Sequence, residues 1–424
     1  MDQFIINGGG KLEGEVEVLG VKNGVLPMIA ASIMASKGTT IIHNVPALRD
    51  VAAMSRVVEA LGAKVNYDPK TKTIVLDCQS VNNYQAPYDL VKKMRASFLV
   101  TGTLLGRFNK AGVSFPGGCV IGARLVNMHL EAFQKLGASI TRDNGNIVVS
   151  TKGLKGTTYY FDFPTHTGTE NIMMAACLAK GTTHLIGAAC EPEIIDLANM
   201  LNKMGARING AGSSYITIEG VKTLTGVEYT AMPSRIETGF FMAAAAITGG
   251  EVVVKNAILS NLSIVVNKLQ TMGVEITDLG DNRILVKRRG GMRAVSFTTW
   301  PFPGFPTDLQ ASMMALLTIA QGTSVVKETV FENRFMHVNE MNRMGANIKC
   351  QLNEAIVTGV HHLTGTTVMS SDLQAGAALV IAALAAEGES TVDRVYHIDR
   401  GYERLEERLS KIGASIKRFN PVKN

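Results

Sequence analysis

The stretch "VAAMSRVVEALGAKV", residues 51–65, combines an amphipathic helix, a glycine and the start of a strand. Its apolar residues lie 1, 4, 8 and 11 positions before Gly62, at Leu61, Val58, Met54 and Val51. Side chains at this spacing share one face of an α-helix. A glycine directly after such a run is a common C-cap, because glycine adopts positive φ without a steric penalty.

This pattern recurs six times along the chain. The later copies read LGASI, MGARI, MGVEI, MGANI and IGASI, and the six glycines are residues 62, 137, 205, 273, 345 and 413. A second glycine precedes each copy and opens a β-rich run, as in "GTTII" at Gly38 and "GVSF" at Gly112. Another helix precedes that run, as in "GVLPMIAASIMAS". The sequence therefore predicts a repeated unit of about 70 residues with two helices and several short strands.

A single unit of this size cannot bury its own apolar helix face, so the copies must pack together. Six copies in 424 residues indicate two α/β domains of three units each. The boundary is expected near "YTAMPSR", residues 229–235.

The composition is that of a globular protein with a large core. The chain is 46% hydrophobic and 18% charged, and its formal net charge is +6. This mild positive charge suits a small anionic substrate, but no Lys/Arg-dense tract of the kind that binds nucleic acid is present. The longest apolar run, "GAALVIAALAA" at 376–386, is too short to cross a membrane, and the N-terminus does not resemble a signal peptide. We therefore expect no nucleic acid partner and no membrane insertion.

Five cysteines are widely separated, at positions 78, 119, 177, 190 and 350, and none belongs to a C-x-x-C motif. This usage fits reduced thiols in the cytoplasm and argues against a zinc site. Cys119 differs from the others because it lies within "PGGCVIGAR", residues 116–124, where several glycines surround the thiol. It is either an ordinary free thiol or a reactive one, whose pKa a cation such as Arg124 can lower.

Three residues depart from the apolar helix stripe. The position 11 residues before the terminal glycine is apolar in the first four copies but is Arg334 in the fifth. The position 8 residues before it is His129 in the second copy and His337 in the fifth. Such histidines are usually satisfied core residues, and an arginine at a helix start is usually solvated or a capping group. A substrate-binding role is the alternative for Arg334.

Charged residues also lie where elements are expected to begin. Lys22, followed by Asn23, stands between a strand and a helix, where backbone N–H groups can receive an anion. Arg95 and Arg400 occupy similar element starts. Asp308 in "FPGFPTDLQ" stands where the next helix begins and is either an N-cap or a functional carboxylate. For Lys22 the alternative is an ordinary surface lysine.

Several motifs together closely resemble the bacterial UDP-N-acetylglucosamine 1-carboxyvinyltransferases, an enolpyruvyl transferase family. The resemblance runs in order along almost the whole chain. Its motifs are "VKN" (21–23), "MRAS" (94–97), "PGGCVIGAR" (116–124), "EPEIID" (191–196), "RIETG" (235–239), "FPTDLQ" (305–310), "TVFENRFMHV" (329–338) and "YHIDRGYE" (396–403).

The resemblance implies two inside-out α/β-barrel domains, each with three repeats whose helices face inward and whose sheets face outward. One domain would comprise residues 22–233, with the catalytic cysteine loop at about 115–125, and the other residues 1–21 plus 234–424. The implied reaction transfers the enolpyruvyl group of phosphoenolpyruvate to the 3-hydroxyl of UDP-N-acetylglucosamine and releases phosphate. This is the first committed step of peptidoglycan precursor synthesis, and it needs no cofactor and no metal.

The resemblance also implies roles for individual residues. Cys119 matches the general acid, Asp308 the group near the 3-hydroxyl, and Lys22, Arg124, Arg334 and Arg400 the cationic clamp. Further substrate contacts would be Asn23, Arg95, Leu125, Val126, Asn127, Pro164, Thr165, His166, Thr167, Val330 and Gln374. The catalytic set would be Cys119, Asp308, Lys22 and Arg400.

Four departures from the family pattern fall in these regions. The family usually has arginine where this chain has Gln374, and it usually has Pro-Val/Ile-Asp where this chain has residues 125–127. The stretch that commonly reads Pro-Ser-Val-Gly-Ala is "PTHTG" here, at 164–168, and a tryptophan of some members is Leu99. An enolpyruvyl transferase with another nucleotide or nucleotide-sugar acceptor is therefore the alternative function. A shikimate-3-phosphate enzyme and a catalytically silent nucleotide-sugar-binding scaffold fit less well, and the oligomeric state is open.

Overall fold

A computed structural model describes residues 2–92, 94–114, 126–143 and 145–420 of the chain. Cys119, Arg124 and Leu125 lie outside the described residues. The chain divides into two compact units. The N-terminal unit contains the described residues between 20 and 232, and the C-terminal unit contains residues 2–19 together with 233–420.

Most helices alternate along the chain between predominantly apolar, buried segments and amphipathic ones. The α-helices of the described residues are α1 (Lys22–Ala31), α2 (Arg49–Ala60), α3 (Tyr88–Val91), α4 (Val100–Phe108), α5 (Asn127–Lys135), α6 (His166–Ala176), α7 (Pro192–Lys203), α8 (Arg235–Thr248), α9 (Ser263–Met272), α10 (Gln310–Leu317), α11 (His337–Arg343), α12 (Leu373–Ala385) and α13 (Leu405–Lys411). Short 3₁₀ helices span Ser32–Met34, Arg95–Leu99, Leu259–Leu262, Thr307–Leu309 and Val395–Arg400.

The strands are short, with six residues at most among those described. They are β1 (Gln3–Asn7), β2 (Glu13–Glu17), β3 (Ala35–Lys37), β4 (Thr40–His43), β5 (Lys64–Asp68), β6 (Thr73–Asp77), β7 (Lys110–Ser114), β8 (Ser139–Asp143), β9 (Asn146–Ser150), β10 (Thr158–Tyr160), β11 (Thr182–Ile186), β12 (Arg207–Asn209), β13 (Tyr215–Glu219), β14 (Leu224–Thr225), β15 (Glu228–Thr230), β16 (Glu251–Lys255), β17 (Glu275–Gly280), β18 (Arg283–Lys287), β19 (Phe297–Thr298), β20 (Thr323–Lys327), β21 (Asn347–Gln351), β22 (Glu354–Thr358), β23 (Thr367–Met369), β24 (Glu389–Asp393) and β25 (Ser415–Phe419).

The predicted glycine turns are confirmed in all six repeats. The glycines at positions 62, 137, 205, 273, 345 and 413 have φ values between +91° and +108°. Each follows the amphipathic helix of its repeat, and a strand begins two residues later in all six copies. An L side chain rarely adopts this backbone conformation, which explains why glycine occupies every one of these positions.

Each repeat contributes one small sheet. In the N-terminal unit the strand orders are β15-β4-β6-β5, β7-β9-β8 and β10-β11-β13-β12, and β14 pairs with β3. In the C-terminal unit they are β17-β18-β16-β2, β19-β20-β22-β21 and β23-β24-β1-β25. The first strand of the chain, β1, therefore lies inside the last sheet, with Phe4 opposite both Val392 and Arg418.

Each sheet has one buried face, whereas the central helices are buried on nearly every side. Along β6 and β16, for example, buried side chains alternate with more exposed ones, as expected for a sheet with one face on the core. By contrast, α6, α8, α10 and α12 are buried around almost their whole circumference. In the N-terminal unit α1, α4 and α6 contact one another, and in the C-terminal unit α8, α10 and α12 do. A helix that is apolar on every side is stable only in such a core.

The predicted mixed α/β class is thus confirmed. The strands in the described ranges form separate open sheets, and none of these sheets closes on itself to form a β-barrel. The helices of the described residues include none long and apolar enough to cross a membrane.

Candidate active site

In the N-terminal unit, several predicted site residues lie where central helices begin. Lys22 is the first residue of α1, Arg95 is the first residue of the 3₁₀ helix that leads into α4, and His166 is the first residue of α6. The 3₁₀ helix contacts both α1 and α6. The first turn of a helix has backbone N–H groups without an intrahelical acceptor and carries a partial positive charge, and both properties favour anions.

Lys22 is not an ordinary surface lysine. Its side chain is only 20% exposed, and its Nζ lies 3.4 Å from Oδ2 of Asp50 in the first turn of α2. Asp50 is itself buried. The next residue of α1, Asn23, is half-buried.

The start of α6 is held by two side chains. Thr165 is the N-cap, and its hydroxyl accepts a hydrogen bond from the Gly168 N–H. The Nδ1 atom of His166 lies 3.5 Å from a carboxylate oxygen of the buried Glu170. Burial lowers the pKa of His166, but Glu170, with Glu191 and Glu193, outweighs burial and holds that pKa above its ordinary value. The nearby carboxylates therefore favour the protonated form of this imidazole.

Only some predicted contacts of this unit lie together. Arg95, Val126 and Thr167 line one small depression, together with Phe98, Leu99 and His129. Val126 is the N-cap of α5, and Asn127, the first residue of that helix, is exposed, with its amide 3.5 Å from Glu131. Lys22, Asn23, Asn127 and Pro164 are not part of the lining of this depression.

In the C-terminal unit, Asp308 and Arg334 form an ion pair. Arg334 Nη2 lies 2.5 Å from Asp308 Oδ1, and the arginine side chain is only 5% exposed. Arg334 precedes α11, which begins at His337, so the expectation that it starts the helix is wrong. It is also not solvated, and Asp308 does not cap α10, whose N-cap is Leu309. The geometry therefore excludes a solvated Arg334 and an N-capping role of Asp308 for α10.

Glu328 organises this pair and was missed by the sequence analysis. It is 2% exposed, and its carboxylate accepts hydrogen bonds from the hydroxyls of Thr299 and Thr307. It also accepts from the backbone N–H groups of Val330 and Phe331. Glu328 thus fixes Thr307, next to Asp308, and the loop that leads to Arg334. Its signal in the sequence was a carboxylate placed directly after an apolar strand and before a loop motif.

Gln374 takes part in a buried contact. It is 7% exposed, and its amide oxygen accepts a hydrogen bond of 3.3 Å from the Tyr402 hydroxyl. Burial, followed by the charges of Glu237 and Asp308, holds the pKa of Tyr402 well above its ordinary value. Gln374 is therefore bonded to a hydroxyl group that burial and the Glu237 and Asp308 charges keep protonated.

Arg400 corrects a further expectation. It is the last residue of the 3₁₀ helix Val395–Arg400, not the start of an element. This 3₁₀ helix contacts α12, which carries Gln374 near its N-terminus. Burial, followed by the charge of Arg400, lowers the pKa of His397.

The burial of His337 should make the stability of the protein depend on pH. Burial lowers its pKa from 6.5 to about 4, with a smaller opposing contribution from Asp372. Between these values the unfolded chain binds a proton that the folded chain does not, so stability should fall as the pH drops through this range. At pH 5 the loss relative to pH 7.5 should be roughly 2 kcal/mol from this residue.

Urea unfolding at the two pH values tests this expectation. His337→Leu should reduce the pH-dependent difference in unfolding free energy by about that amount, whereas His361→Gln, at an exposed position, should not change it. An unchanged difference in His337→Leu would show that this histidine is not buried in its neutral form.

Among the residues that the structure describes, no group of three or more His, Cys, Asp or Glu side chains is arranged to hold a metal ion. The candidate site is therefore described by cations, carboxylates and helix N-termini.

Comparison with known proteins relates both units to one group of enzymes. The EPSP synthase (3-phosphoshikimate 1-carboxyvinyltransferase) family model matches residues 6–409. The UDP-N-acetylglucosamine 1-carboxyvinyltransferase of Psychrobacter arcticus is 50% identical over 423 residues, which is 99% of each chain. UDP-N-acetylglucosamine 1-carboxyvinyltransferase 1 of Caldanaerobacter subterraneus subsp. tengcongensis is 51% identical over 416 residues, 98% of this chain and 99% of that one.

Solved structures agree with this relationship. The enolpyruvyl transferase NikO from Streptomyces tendae superposes with a TM-score of 0.89 at 25% identity and covers 98% of both chains. EPSP synthase from Acinetobacter baumannii superposes with a TM-score of 0.77 at 19% identity, covering 99% of this chain and 100% of that one. At this lower identity the second likeness concerns the fold alone.

Proposed function

The chain belongs to the EPSP synthase family of enolpyruvyl transferases, and on that premise we propose that it transfers the enolpyruvyl group of phosphoenolpyruvate to UDP-N-acetylglucosamine. The bond forms at the 3-hydroxyl of the sugar, and phosphate is released. The product is the first committed precursor of peptidoglycan. Phosphoenolpyruvate and UDP-N-acetylglucosamine are then its small-molecule partners, and both are metabolites of the cytoplasm.

The ion pair between Asp308 and Arg334 is the observation that carries this proposal. Arg334 stands where the first four repeats have an apolar residue, and its guanidinium group is buried. This group binds the Asp308 carboxylate, which is only partly covered by protein. Two charges in this position contribute little to packing, because burying an ion pair costs nearly as much as it returns. A reaction that needs a base beside fixed cations accounts for their presence.

The chemistry assigns a role to each group. Protonation of the terminal carbon of phosphoenolpyruvate makes the neighbouring carbon electrophilic, and Cys119 supplies that proton. Asp308 takes the proton of the attacking hydroxyl. Phosphate then leaves from the tetrahedral intermediate while the new methyl group loses a proton, which restores the carbon–carbon double bond of the enolpyruvyl group. Lys22, Arg124, Arg334 and Arg400 stabilise the phosphate and carboxylate charges, since fixed cations need little reorganisation during the reaction.

The remaining residues bind the acceptor. We assign this role to described residues that lie mostly at helix starts of the N-terminal unit, to two residues of the C-terminal unit, and to Leu125, which is outside the described residues. The described residues are Asn23, Arg95, Val126, Asn127, Pro164, Thr165, His166, Thr167, Val330 and Gln374. The finer architecture, three repeats per domain with inward helices and outward sheets, is part of the proposal. The almost completely buried central helices and the one-sided sheets support it.

A phosphate-release assay with phosphoenolpyruvate and a panel of acceptors tests the function. Phosphate should form rapidly with UDP-N-acetylglucosamine and slowly or not at all with shikimate 3-phosphate, UMP or UDP-glucose. Preference for any of these other acceptors would overturn the proposed substrate. Absence of phosphate release with every acceptor would overturn the enzyme assignment.

Gln374 favours a second candidate, an enolpyruvyl transferase with another nucleotide or nucleotide-sugar acceptor. The family usually has arginine here, and a neutral amide bonded to Tyr402 cannot replace a guanidinium in a charge-assisted contact. If UDP-N-acetylglucosamine is the acceptor, Gln374→Arg should raise kcat/KM for it by about tenfold, equivalent to roughly 1.4 kcal/mol.

The matched control is Gln351→Arg, a change of the same chemistry at an exposed strand position. It should leave kcat/KM unchanged. A wild-type rate that Gln374→Arg does not improve would show that the glutamine is tolerated. A rate that remains very low in both proteins would favour the second candidate.

A further inference from the structure

His129 in α5 has one nitrogen that is hydrogen-bonded and one that is not. Its side chain is buried, with 3% exposure, and its ring packs edge-on against Phe98 at 5.3 Å between centroids. The Nδ1 atom lies 3.1 Å from Nδ2 of Asn171. The Nε2 atom has no hydrogen-bond partner within the described part of the chain.

A chain of hydrogen bonds fixes the proton on the unpartnered nitrogen. The backbone N–H of Gly102 donates to Asn171, at 2.7 Å, so the amide oxygen of Asn171 must face Gly102. The amide NH₂ then donates to the Phe98 carbonyl and to His129 Nδ1. A nitrogen that accepts carries no proton, so the proton of the neutral ring is on Nε2.

Two further features hold this arrangement in place. A Cβ atom at Gly102 would lie only 2.1 Å from the Asn171 carbonyl oxygen, so glycine is required for α4 to approach α6 this closely. Burial, with a smaller contribution from the charge of Arg95, lowers the pKa of His129 to about 3. The ring is therefore neutral near pH 7 and offers one fixed donor, Nε2–H.

The unpartnered donor belongs to a residue that lines a depression. Arg95, Val126 and Thr167 line the same depression. A buried donor without an acceptor is unfavourable, and native structures retain few of them. A guanidinium and a neutral N–H group beside the start of a helix are donors suited to a phosphate oxygen.

We propose that His129 is a further substrate-binding residue, whose Nε2–H donates a hydrogen bond to a phosphate oxygen of the nucleotide sugar. This inference rests on the proposed function for the identity of the ligand. The nucleotide diphosphate, rather than the phosphate of phosphoenolpyruvate, supplies the oxygen, because the proposed function assigns Arg95, Val126 and Thr167 to binding of the nucleotide sugar. Asn171 and Gly102 act as positioning residues that fix the tautomer.

Calorimetric titration of UDP, UDP-N-acetylglucosamine and phosphoenolpyruvate, each alone, tests the proposal. His129→Phe keeps an aromatic ring and removes the donor. It should lower the affinity for UDP and for UDP-N-acetylglucosamine by about tenfold or more, as expected for one lost hydrogen bond to a charged group. Binding of phosphoenolpyruvate should not change. His129→Gln offers an amide N–H and should restore part of the affinity.

Phe133→Leu is the matched control, because Phe133 lies on the same face of α5 one turn later and is fully buried. It should lower the melting temperature and leave the affinity for UDP unchanged. Unchanged UDP affinity in His129→Phe, or an equal loss in Phe133→Leu, would overturn the proposal, as would a loss confined to phosphoenolpyruvate.

The ¹⁵N spectrum of the wild-type imidazole gives a second measurement that does not depend on a variant. The free protein should show an unprotonated Nδ1 and a protonated Nε2, and UDP should shift the Nε2–H resonance. A proton on Nδ1 would contradict the inference. Failure of the proposed function is a separate result, since it would be absence of phosphate release with UDP-N-acetylglucosamine while UDP binding still required His129.

Discussion

An Asp308→Asn variant should lose turnover by about 10²- to 10⁴-fold in kcat while its KM values change little. The amide keeps an oxygen that can accept the hydrogen bond from Arg334, whose Nη2 lies 2.5 Å from Asp308 Oδ1 in the wild-type protein. It cannot take a proton from the attacking hydroxyl near neutral pH. Steady-state phosphate release with saturating UDP-N-acetylglucosamine measures the loss.

Asp281→Asn provides the control, because Asp281 is an exposed turn residue of the same unit. Its kcat should equal that of the wild type. If Asp308→Asn were fully active, or if it raised KM without lowering kcat, Asp308 would be a binding residue and the proposed base would have to be another group.

A Cys119→Ala variant should have no measurable turnover, whereas Cys119→Asp should keep a small part of it, since a carboxylic acid can also deliver a proton. The epoxide fosfomycin should alkylate one thiol in the wild type, at Cys119, and should do so faster with UDP-N-acetylglucosamine bound. Mass spectrometry of proteolytic peptides identifies the modified residue.

The four other cysteines are poor competitors for this reaction. Burial raises the pKa of Cys78 and of Cys177 to about 12, and it also raises the pKa values of Cys190 and Cys350. The thiolate is the nucleophile, so these residues react slowly near pH 7. Cys190→Ser should keep full activity and full labelling. Labelling of Cys190 or Cys350 at the same rate, or activity in Cys119→Ala, would contradict the assignment of Cys119 as the acid.

The repeat could be predicted from the sequence because its features depend only on interactions between residues close together in the chain. An apolar stripe and a terminal glycine depend only on helix geometry and on the sign of φ, so Gly62 and its five equivalents identified six units directly. The position of β1 in the last sheet was not readable in the same way. That pairing joins Phe4 to Val392, nearly the whole chain length apart, and no local pattern encodes it.

In the candidate site, too, the sequence indicated individual residues but not the contacts between them. Arg334 was visible as an arginine in an apolar position, and Asp308 as a carboxylate near a helix start, but their contact was not predicted. Glu328 was missed because its importance comes from four hydrogen bonds made by residues of two separate segments. His129 was interpreted as a satisfied core residue, but the structure shows that Asn171 bonds only one of its nitrogens and that the other has no partner among the described residues.

Determination of the reaction product tests the central claim most directly. The protein should be incubated with phosphoenolpyruvate and UDP-N-acetylglucosamine, and the product analysed by mass spectrometry and by two-dimensional NMR. The account predicts one equivalent of phosphate and a nucleotide sugar that carries two vinyl protons on an enolpyruvyl ether at O3. A different position of the ether, attachment to another acceptor from the panel in preference to this one, or unchanged UDP-N-acetylglucosamine would contradict it.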